Sequence, residues 1–444
     1  MSNNKNNDQS SVPPSGVKGH KLWDKGLPTD QKIDLFTVGN DRQLDLVIAK
    51  YDVQATLAHA KMLYKIELLS EKEIIAIEKE LNQIAKDIES GTFTIEDQFE
   101  DVHSKIEYEL TQRIGEAGKK IHTARSRNDQ VLVAMHLYLK EELAQIKSSI
   151  KELSDNLLDA AEKYKEILLP GYTHLQIAMP SSFGLWFSAY AESFVDDLYF
   201  VNAAYKVVDQ NPLGSAAGYG SSFAIDREFT TKELRFETLK YNVVAAQMSR
   251  GKSEKSTAFA ISSLAGTLSK LAMDVCLYMS QNFNFMSIPS EFTTGSSIMP
   301  HKKNPDVFEL IRGKCNKIQA LPYELTLLTN NLPSGYHRDL QLLKEGIVPA
   351  IQDVKACIEM ATYALKNVKV NKTILDDTKY DYLFSVDTLN ELVQNGMSFR
   401  DAYVKIGQDI ENGNYQPKKS TKHTHLGSIN NLALDQIRQK LKNA

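Results

Sequence analysis

Cysteine is scarce in this chain of 444 residues, which contains only Cys276, Cys315 and Cys357. Three widely separated cysteines without CxxC spacing form neither a disulfide framework nor a zinc cluster, and they favour a reducing, cytoplasmic compartment. The first residues, MSNNKNNDQSSVPPSG, also lack the apolar core of a secretory signal. We therefore expect no export and interpret residues 1–18 as a disordered leader.

An excess of one charge, a membrane-length apolar run and cofactor motifs are missing as well. The formal net charge is −4, and basic residues are dispersed among acidic ones, which indicates no nucleic-acid partner. The longest charge-free stretch, residues 167–191, contains Pro170, Pro180 and His174, which would leave polar groups unsatisfied in lipid, so we expect no membrane span. Because the chain has no glycine-rich phosphate loop, GxSxG elbow or metal-ligand cluster, we expect neither a cofactor nor a metal.

Helical periodicity dominates what is present. Apolar residues recur at steps of three and four through residues 143–164 and, more densely, through 258–279. We predict an amphipathic helix for the first segment and a helix buried on most sides for the second. Residues 66–88 indicate two helices joined near Ser70, whose hydroxyl would cap the second helix. Polar loops with glycine or proline interrupt the helices, and binding residues concentrate on such loops, here 170–180, 211–222, 287–305 and 331–336.

The segment GSSIMPHKKNPD, residues 295–306, contains the start of a predicted helix and two lysines. The charges of these lysines are unfavourable at the positive end of the helix dipole. We predict Asn304 as the N-cap and Pro305 as the first helical residue, with Glu309 near the positive end of the helix dipole. Lys302 and Lys303 lie at the same end, where cations are unfavourable unless an anionic ligand binds there. A solvated surface loop is the alternative interpretation.

A second segment, HTARSRNDQV, covers residues 122–131 and places several polar side chains before an apolar run. Arg127 could fork onto a substrate carboxylate, with Ser126 and Asn128 beside it. Asn128 and Asp129 are equally suited to capping the helix that follows.

Three further segments carry candidate side chains. In GYTHLQIAMP, residues 171–180, His174 could move protons near neutral pH, although a lone histidine among apolar residues is more often a core residue. GYHRDLQLLKEG, residues 335–346, and EDVHSKIE, residues 100–107, could both be plain surface helix ends. Their polar candidates are Tyr336, Arg338, Gln341, Lys344, Asp101 and His103.

Together these segments resemble those of argininosuccinate lyases, which belong to the superfamily of fumarase, adenylosuccinate lyase and δ-crystallin. GSSIMPHKKNPD is similar to the superfamily signature loop, whereas HTARSRNDQ and GYTHLQIAMP are similar to the versions found in argininosuccinate lyases. The resemblance runs from about residue 22 to residue 400. It implies a cofactor-free carbon–nitrogen lyase of arginine biosynthesis that reversibly eliminates fumarate from argininosuccinate.

The resemblance also implies residue roles. Ser296 would remove a Cβ proton from the succinyl moiety, and His174, supported by Glu309, would help protonate the departing guanidino nitrogen. Lys302 and Asn304 would stabilise the doubly charged aci-carboxylate. The implied substrate contacts are Asp101, His103, Ser126, Arg127, Asn128, Thr173, Arg250, Asn304, Tyr336, Gln341 and Lys344.

The fold implied by the resemblance is mainly α, with three domains at residues 1–118, 119–362 and 363–444. The long helices of the central domain would form the core of a homotetramer, in which three subunits share each active site. The only other partner implied is the small-molecule substrate.

The chain departs from the family pattern at three places. KLWDKG, residues 21–26, replaces a tryptophan, glycine-pair and arginine sequence that helps to bind substrate. Ala245 and Gly251 replace acidic residues near Arg250, and Ala124 replaces a glycine. A backbone with positive φ at Ala124 would be strained. We expect these departures to affect substrate specificity more than the fold.

Two alternatives stay open. The chain could be a sister lyase with another leaving group, because the signature loop does not read the leaving group. It could also be a non-catalytic scaffold like some lens crystallins. Residues 122–130 argue against the first alternative, and the joint presence of the five implied catalytic-loop and acid-side residues argues against the second.

Overall fold

The computed structural model describes residues 30–444, and most of this range is helical, as predicted. The leader and the KLWDKG segment lie outside the described residues. In chain order, the helices are α1 (Gln31–Val38), α2 (Asp41–Lys65), α3 (Glu71–Glu89), α4 (Val102–Ile114), α5 (Glu116–Lys119), α6 (Arg127–Lys163), α7 (Phe183–Val208), α8 (Arg227–Glu233), α9 (Val243–Gln247), α10 (Lys252–Met279), α11 (Asp306–Ile318), α12 (Leu321–Leu328), α13 (Leu343–Lys366), α14 (Ser385–Gln394), α15 (Phe399–Glu411) and α16 (Leu434–Asn443).

Strands are few and short in the described range. They form three two-stranded sheets, which are β1 (Leu168–Thr173) with β2 (Gln176–Ser182), β3 (Gln210–Asn211) with β4 (Thr238–Leu239), and β5 (Met286–Ser287) with β6 (Lys369–Val370). The β3–β4 pair is parallel and the other two are antiparallel. The segment 170–180, which we predicted as a loop, is therefore an antiparallel hairpin, because a two-residue turn lets its two halves pair.

The chain divides into two compact units. The first comprises the described residues up to Leu139, together with Val208–Lys252 and Leu328–Glu345. The second comprises Lys140–Val207, Ser253–Leu327 and Gly346–Ala444. The three-domain division at residues 118 and 362 stays a prediction.

Helices α2, α3 and α4 form the core of the first unit. The apolar residues of α3 recur at steps of three and four, and Ile77, Leu81 and Ile84 are fully buried against α2 and α4. Burial of each such side chain contributes about 1.5–3 kcal/mol to stability. Ser70 caps α3 as predicted, because its hydroxyl accepts from the Glu73 N–H while the Glu73 carboxylate accepts from the Ser70 N–H.

Helix α10 is a long helix of the second unit with few exposed residues. As predicted, it is buried on most sides, since only Lys252, Phe259, Lys270 and Met273 are exposed. Its length and composition alone would also allow it to cross a membrane, a test that a core helix of this kind also meets. The predicted helix at residues 143–164 is confirmed as part of α6.

His136 on α6 is a buried polar residue in the core of the first unit. Its Nδ1 lies 2.9 Å from the Val208 carbonyl oxygen, and its Nε2 lies 3.1 Å from the Ser249 hydroxyl. Burial lowers the pKa of His136 from 6.5 to about 4, so the folded protein keeps this ring neutral. Because the unfolded chain binds this proton more readily, the free energy of unfolding decreases as pH falls from 6.5 towards 4. Below pH 4 this group causes no further loss of stability.

We expect His136→Gln to remove this part of the pH dependence, since glutamine can replace both hydrogen bonds but does not titrate. Between pH 7 and pH 4, the native protein should lose about 3 kcal/mol more free energy of unfolding than the variant. Denaturant unfolding of both proteins across this pH range measures the difference. Parallel pH profiles would contradict the assignment of a neutral, buried ring.

Candidate functional site

A cavity of about 370 Å³ lies in the first unit, and polar side chains form most of its wall. Four carboxylates, five arginine or lysine side chains and two histidines line it. Such a mixed wall suits a ligand that carries both carboxylates and basic groups. The lining residues are Asp41, Asp45, Glu100, Asp101, His103, His122, Arg125, Ser126, Arg127, Asn128, Val131, Arg250, Tyr336, Arg338, Gln341 and Lys344.

Four separate segments bring predicted substrate contacts into this wall. These contacts are Asp101, His103, Ser126, Arg127, Asn128, Arg250, Tyr336, Gln341 and Lys344. Thr173 and Asn304, also predicted as contacts, belong to the second unit. The wall also contains seven residues that we did not predict as contacts, namely Asp41, Asp45, Glu100, His122, Arg125, Val131 and Arg338.

One face of α2 carries four polar side chains that are all at least 99% buried. Their spacing of seven, four and three residues puts them in one row along the helix. We call this row the α2 polar row; its members are Asp45, Asp52, Thr56 and His59.

Each member of the α2 polar row bonds a segment that contributes to the cavity wall. Asp45 accepts from the Val102 N–H at 3.2 Å and from the Lys344 ammonium. Asp52 pairs with His103, and the Thr56 hydroxyl accepts from Arg125 at 3.1 Å. His59 Nε2 lies 2.8 Å from the Thr123 carbonyl oxygen and therefore donates to it. The helix thus fixes three wall segments at once.

His103 and Asp52 form a buried pair, with 2.8 Å between Nδ1 and Oδ1. Burial alone would lower the pKa of His103, but the carboxylates of Asp52, Asp101 and Asp45 outweigh it and raise that pKa above its usual value. These carboxylates therefore favour the protonated form of His103 next to the cavity. The interpretation of Asp101 and His103 as surface helix ends was wrong, because Asp101 caps α4 from a buried position and His103 lies in its first turn.

Lys344 is buried between two carboxylates of α2. Its ammonium lies 2.8 Å from Asp41 Oδ1 and 2.5 Å from Asp45 Oδ1. Burial raises the pKa of Asp41 to about 6, with Asp45 adding to the rise and Lys344 opposing it. Although burial disfavours an ammonium, these two carboxylates raise the pKa of Lys344 and keep it charged.

Residues 122–129 form a tight turn into α6. The Ser126 hydroxyl accepts from the Asn128 N–H at 3.3 Å, and the Asp129 carboxylate accepts from the Ser126 N–H at 2.9 Å. The capping interpretation is therefore confirmed for Asp129. Ala124 has φ 61°, so the alanine that replaces the family's glycine is strained by an amount on the order of 1 kcal/mol.

Arg127 is held by two carboxylates at the cavity wall. Its Nη1 lies 3.1 Å from Glu100 Oε2, and its Nε lies 2.9 Å from Asp101 Oδ2. Arg338 reaches the other Glu100 oxygen at 2.7 Å. Glu100 therefore joins two arginines that are far apart in sequence, and both guanidinium groups are oriented before any ligand binds.

We expect Lys344→Met to destabilise the protein by about 3–5 kcal/mol, because it leaves Asp41 and Asp45 buried without their cation. Lys355→Met is the matched control, since Lys355 pairs with Glu142 at a more exposed position and should cost less than about 1 kcal/mol. Urea unfolding of both variants measures the difference. Equal losses of stability would contradict the account of a buried ion network.

In the second unit, residues 294–306 form a loop closed at its base. The backbones of Thr294 and Asn304 pair as an isolated bridge, with 2.8 Å between the Asn304 N–H and the Thr294 carbonyl. The prediction of Asn304 as the N-cap was wrong by one residue, because this bridge holds its backbone and α11 begins at Asp306 with Pro305 in the cap position. The Asn304 side chain instead faces Thr294 and Gly295.

The loop offers a serine oxygen with two backbone donors and a lysine on its surface. Ser296 Oγ accepts from the N–H groups of Ile298 at 3.3 Å and Met299 at 3.1 Å. Lys303 donates to the Ser290 hydroxyl at 2.7 Å, whereas Lys302 is exposed and has no ion pair among residues 30–444. Of the two lysines, only Lys302 is therefore available to a ligand.

His174 lies at the tip of the β1–β2 hairpin. It and Leu175 form the two-residue turn, with φ values of 55° and 58°. Both angles are typical of a type I′ turn, which normally takes asparagine and glycine, so two ordinary side chains here are strained. Thr173, His174 and Leu175 are all exposed, and the interpretation of His174 as a core histidine was therefore wrong. Glu309, on the first turn of α11, is exposed as well.

Comparisons with known proteins agree with the family resemblance seen in the sequence. The sequence matches the family model described as "Lyase" over residues 26–320. It is 54% identical over 422 residues to the argininosuccinate lyase of Phocaeicola vulgatus, with 95% of each chain covered.

Solved structures are similar in fold at low sequence identity. A crystal structure of EDDS lyase in complex with formate has a TM-score of 0.74 at 22% identity, covering 90% of this chain and 80% of that one. The class II fumarase of Schistosoma mansoni has a TM-score of 0.72 at 16% identity, covering 86% and 88%. The mainly α, fumarase-like fold is therefore confirmed.

Proposed function

Because the chain belongs to the lyase family and, within it, to the argininosuccinate lyases, we propose that it cleaves argininosuccinate into fumarate and arginine. The observation that carries this proposal is the mixed wall of the first-unit cavity. Argininosuccinate carries several carboxylates, an amine and a guanidino group, so its recognition needs both cations and carboxylates. One group of wall residues comprises Ser126, Arg127 and Asn128, and another comprises Lys344 with Asp41.

The proposed substrate orientation follows from the chemistry of these two groups of wall residues. We assign the substrate carboxylate contacts to Ser126, Arg127 and Asn128, joined by Thr173. The amino-acid end of the substrate is assigned to Tyr336, Gln341 and Lys344. The remaining assigned contacts are Asp101, His103, Arg250 and Asn304.

We assign the base to Ser296. A serine hydroxyl is a poor base at its ordinary pKa, so its alkoxide needs nearby positive charge and N–H donors. The Ile298 and Met299 N–H groups supply two donors to its oxygen, and Lys302 supplies an ammonium in the same loop. Proton removal next to a carboxylate builds an aci-carboxylate, which Lys302 and Asn304 would stabilise.

The acid side is assigned to His174, with Glu309 as its charged partner. No hydrogen bond or ion pair joins His174 to Glu309 or Ser296 within residues 30–444 of the single chain. The absence of these bonds, with the exposed Phe259 and Met273 on α10, supports our proposal of a homotetramer in which three subunits share each active site. We further propose that the enzyme works in the cytoplasm, which agrees with three free cysteines.

The direct test is fumarate release, followed by ultraviolet absorbance, when the purified protein meets argininosuccinate. Adenylosuccinate and malate are the control substrates. A signal with argininosuccinate alone supports the proposal. A signal with a control substrate alone would point to a sister lyase, and no signal with any substrate would point to a non-catalytic scaffold.

Replacement of the base should abolish turnover without disturbing the fold. We expect Ser296→Ala to lower kcat by about 10²–10⁴-fold, the usual scale for an acid or base group. Ser297→Ala, at the exposed neighbouring serine, is the matched control and should keep kcat within about threefold of the native value. Steady-state kinetics of both variants measure these effects on kcat. Near-native activity of Ser296→Ala would show that Ser296 is not the base.

Lys302 should act on the transition state. We expect Lys302→Met to lower kcat/KM by about 10²-fold, because the developing aci-carboxylate loses its ammonium. Lys317→Met, on the exposed surface of α11, controls for the loss of one positive charge. Equal kinetics for both variants would mean that Lys302 is only a solvated loop charge.

A further inference from the structure

The loop 211–222 has no residue assigned to binding or catalysis, yet its first part is firmly held. The Asn211 amide donates to the Thr230 and Thr231 hydroxyls at 3.1 and 2.9 Å, and its oxygen accepts from the Leu213 N–H at 3.0 Å. Arg227 Nε donates to the Leu213 carbonyl at 2.9 Å. Because these hydrogen bonds are numerous and involve partly or fully buried side chains, they hold the first part of the loop rigidly.

Asp129 ties this loop to the substrate-binding turn. Its Oδ1 accepts from the Ser126 N–H at 2.9 Å, while its Oδ2 accepts from the N–H groups of Gly214 at 3.1 Å and Ala216 at 2.9 Å. The side chain has no exposed surface. One carboxylate therefore uses both oxygens to join two loops that lie more than eighty residues apart in sequence.

Three backbone N–H groups donate to Asp129, and bonds of this kind are strongest when the carboxylate is ionised. Burial raises the pKa of Asp129, while the three N–H donors and the positive charge of Arg125 oppose that rise. Gly214 and Ala216 both have positive φ, at 87° and 50°, so the loop adopts an unusual backbone to aim both N–H groups at one oxygen. Left-handed alanine is unfavourable, and the carboxylate compensates for that strain.

The other end of the loop contacts a second segment of the cavity wall. A Cβ atom added at Gly335, where φ is 109°, would lie 3.5 Å from the Tyr219 hydroxyl, so this hydroxyl packs over the backbone beside Tyr336. A Cβ atom added at Gly218 would lie 3.0 Å from the Gln247 side chain, which is buried. The loop therefore runs from the turn at Ser126 to the segment at Tyr336.

We propose that Asp129 is a positioning residue that holds Ser126, Arg127 and Asn128 in their binding geometry by fastening them to the loop 211–222. This inference rests on the proposed function, because it assigns those three residues to a substrate carboxylate. A shift of the Ser126 turn by a fraction of its hydrogen-bond length would weaken carboxylate binding while the amino-acid end of the cavity keeps its contacts.

The test uses Asp129→Asn, which keeps the shape of the side chain. The amide has one oxygen and one N–H₂ group, so a donor must face at least one of the three N–H groups. We expect the inhibition constant of succinate, a dicarboxylate probe, to rise about tenfold, which corresponds to loss of roughly one hydrogen bond. The inhibition constant of arginine should change less than about twofold, since Lys344 and Gln341 are untouched.

Asp197→Asn is the matched control for the loss of a buried carboxylate. Asp197 is 3% exposed and accepts from the Ser263 hydroxyl at 2.7 Å in the second unit. We expect it to lower stability without changing either inhibition constant. If Asp129→Asn raises both constants equally, or neither, Asp129 is a structural residue only and the inference is overturned.

Gly214→Ala is the second test variant, used if Asp129→Asn does not fold. Its methyl group would lie 2.8 Å from the flexible Arg227 side chain at a φ of 87°, which displaces the Gly214 N–H and leaves the carboxylate in place. A selective rise for succinate supports the inference, and unchanged constants overturn it. Fumarate release by the native protein is measured in parallel, so failure of the proposed function is recognised separately.

Discussion

The α2 polar row is the constraint on which the rest of the site depends. Burying four polar side chains on one helix face is costly unless each finds a partner, and here the partners are the wall segments of the cavity. Apolar residues beside this row on α2, among them Ala49 and Val53, pack into the apolar core with α3 and α4. The same helix therefore fixes the fold of the first unit and the position of Arg125, His103 and Lys344.

The charges around the cavity are arranged before a ligand arrives. Glu100 orients Arg127 and Arg338, the Asp41 and Asp45 carboxylates hold Lys344, and Asp52 raises the pKa of His103. Preorganisation of this kind lowers the cost of orienting groups when a charged substrate binds. The second unit contributes a different kind of surface, in which Ser296, Lys302 and His174 lie on a loop and a hairpin tip with little surrounding protein. That openness is what we would expect if, as we propose, other subunits complete the active site.

Sequence patterns predicted the helices well, because periodic apolar residues report which face of a helix is buried. Nine residues that the family resemblance implies as substrate contacts line one cavity, and their role as contacts stays a prediction. Sequence patterns did not reveal Asp41 and Asp45, whose partner Lys344 is 299 residues away from Asp45 and leaves no local mark. The hairpin at 170–180 was missed for a related reason, because its turn uses His174 and Leu175 rather than asparagine and glycine.

The most direct test of this account is a crystal structure of the Ser296→Ala variant with argininosuccinate bound. We predict that a substrate carboxylate contacts Ser126, Arg127 and Asn128, and that the amino-acid end of the substrate contacts Tyr336, Gln341 and Lys344 in the first-unit cavity. The loop 211–222 should keep its bonds to Asp129. Substrate bound outside this cavity would contradict the assigned site.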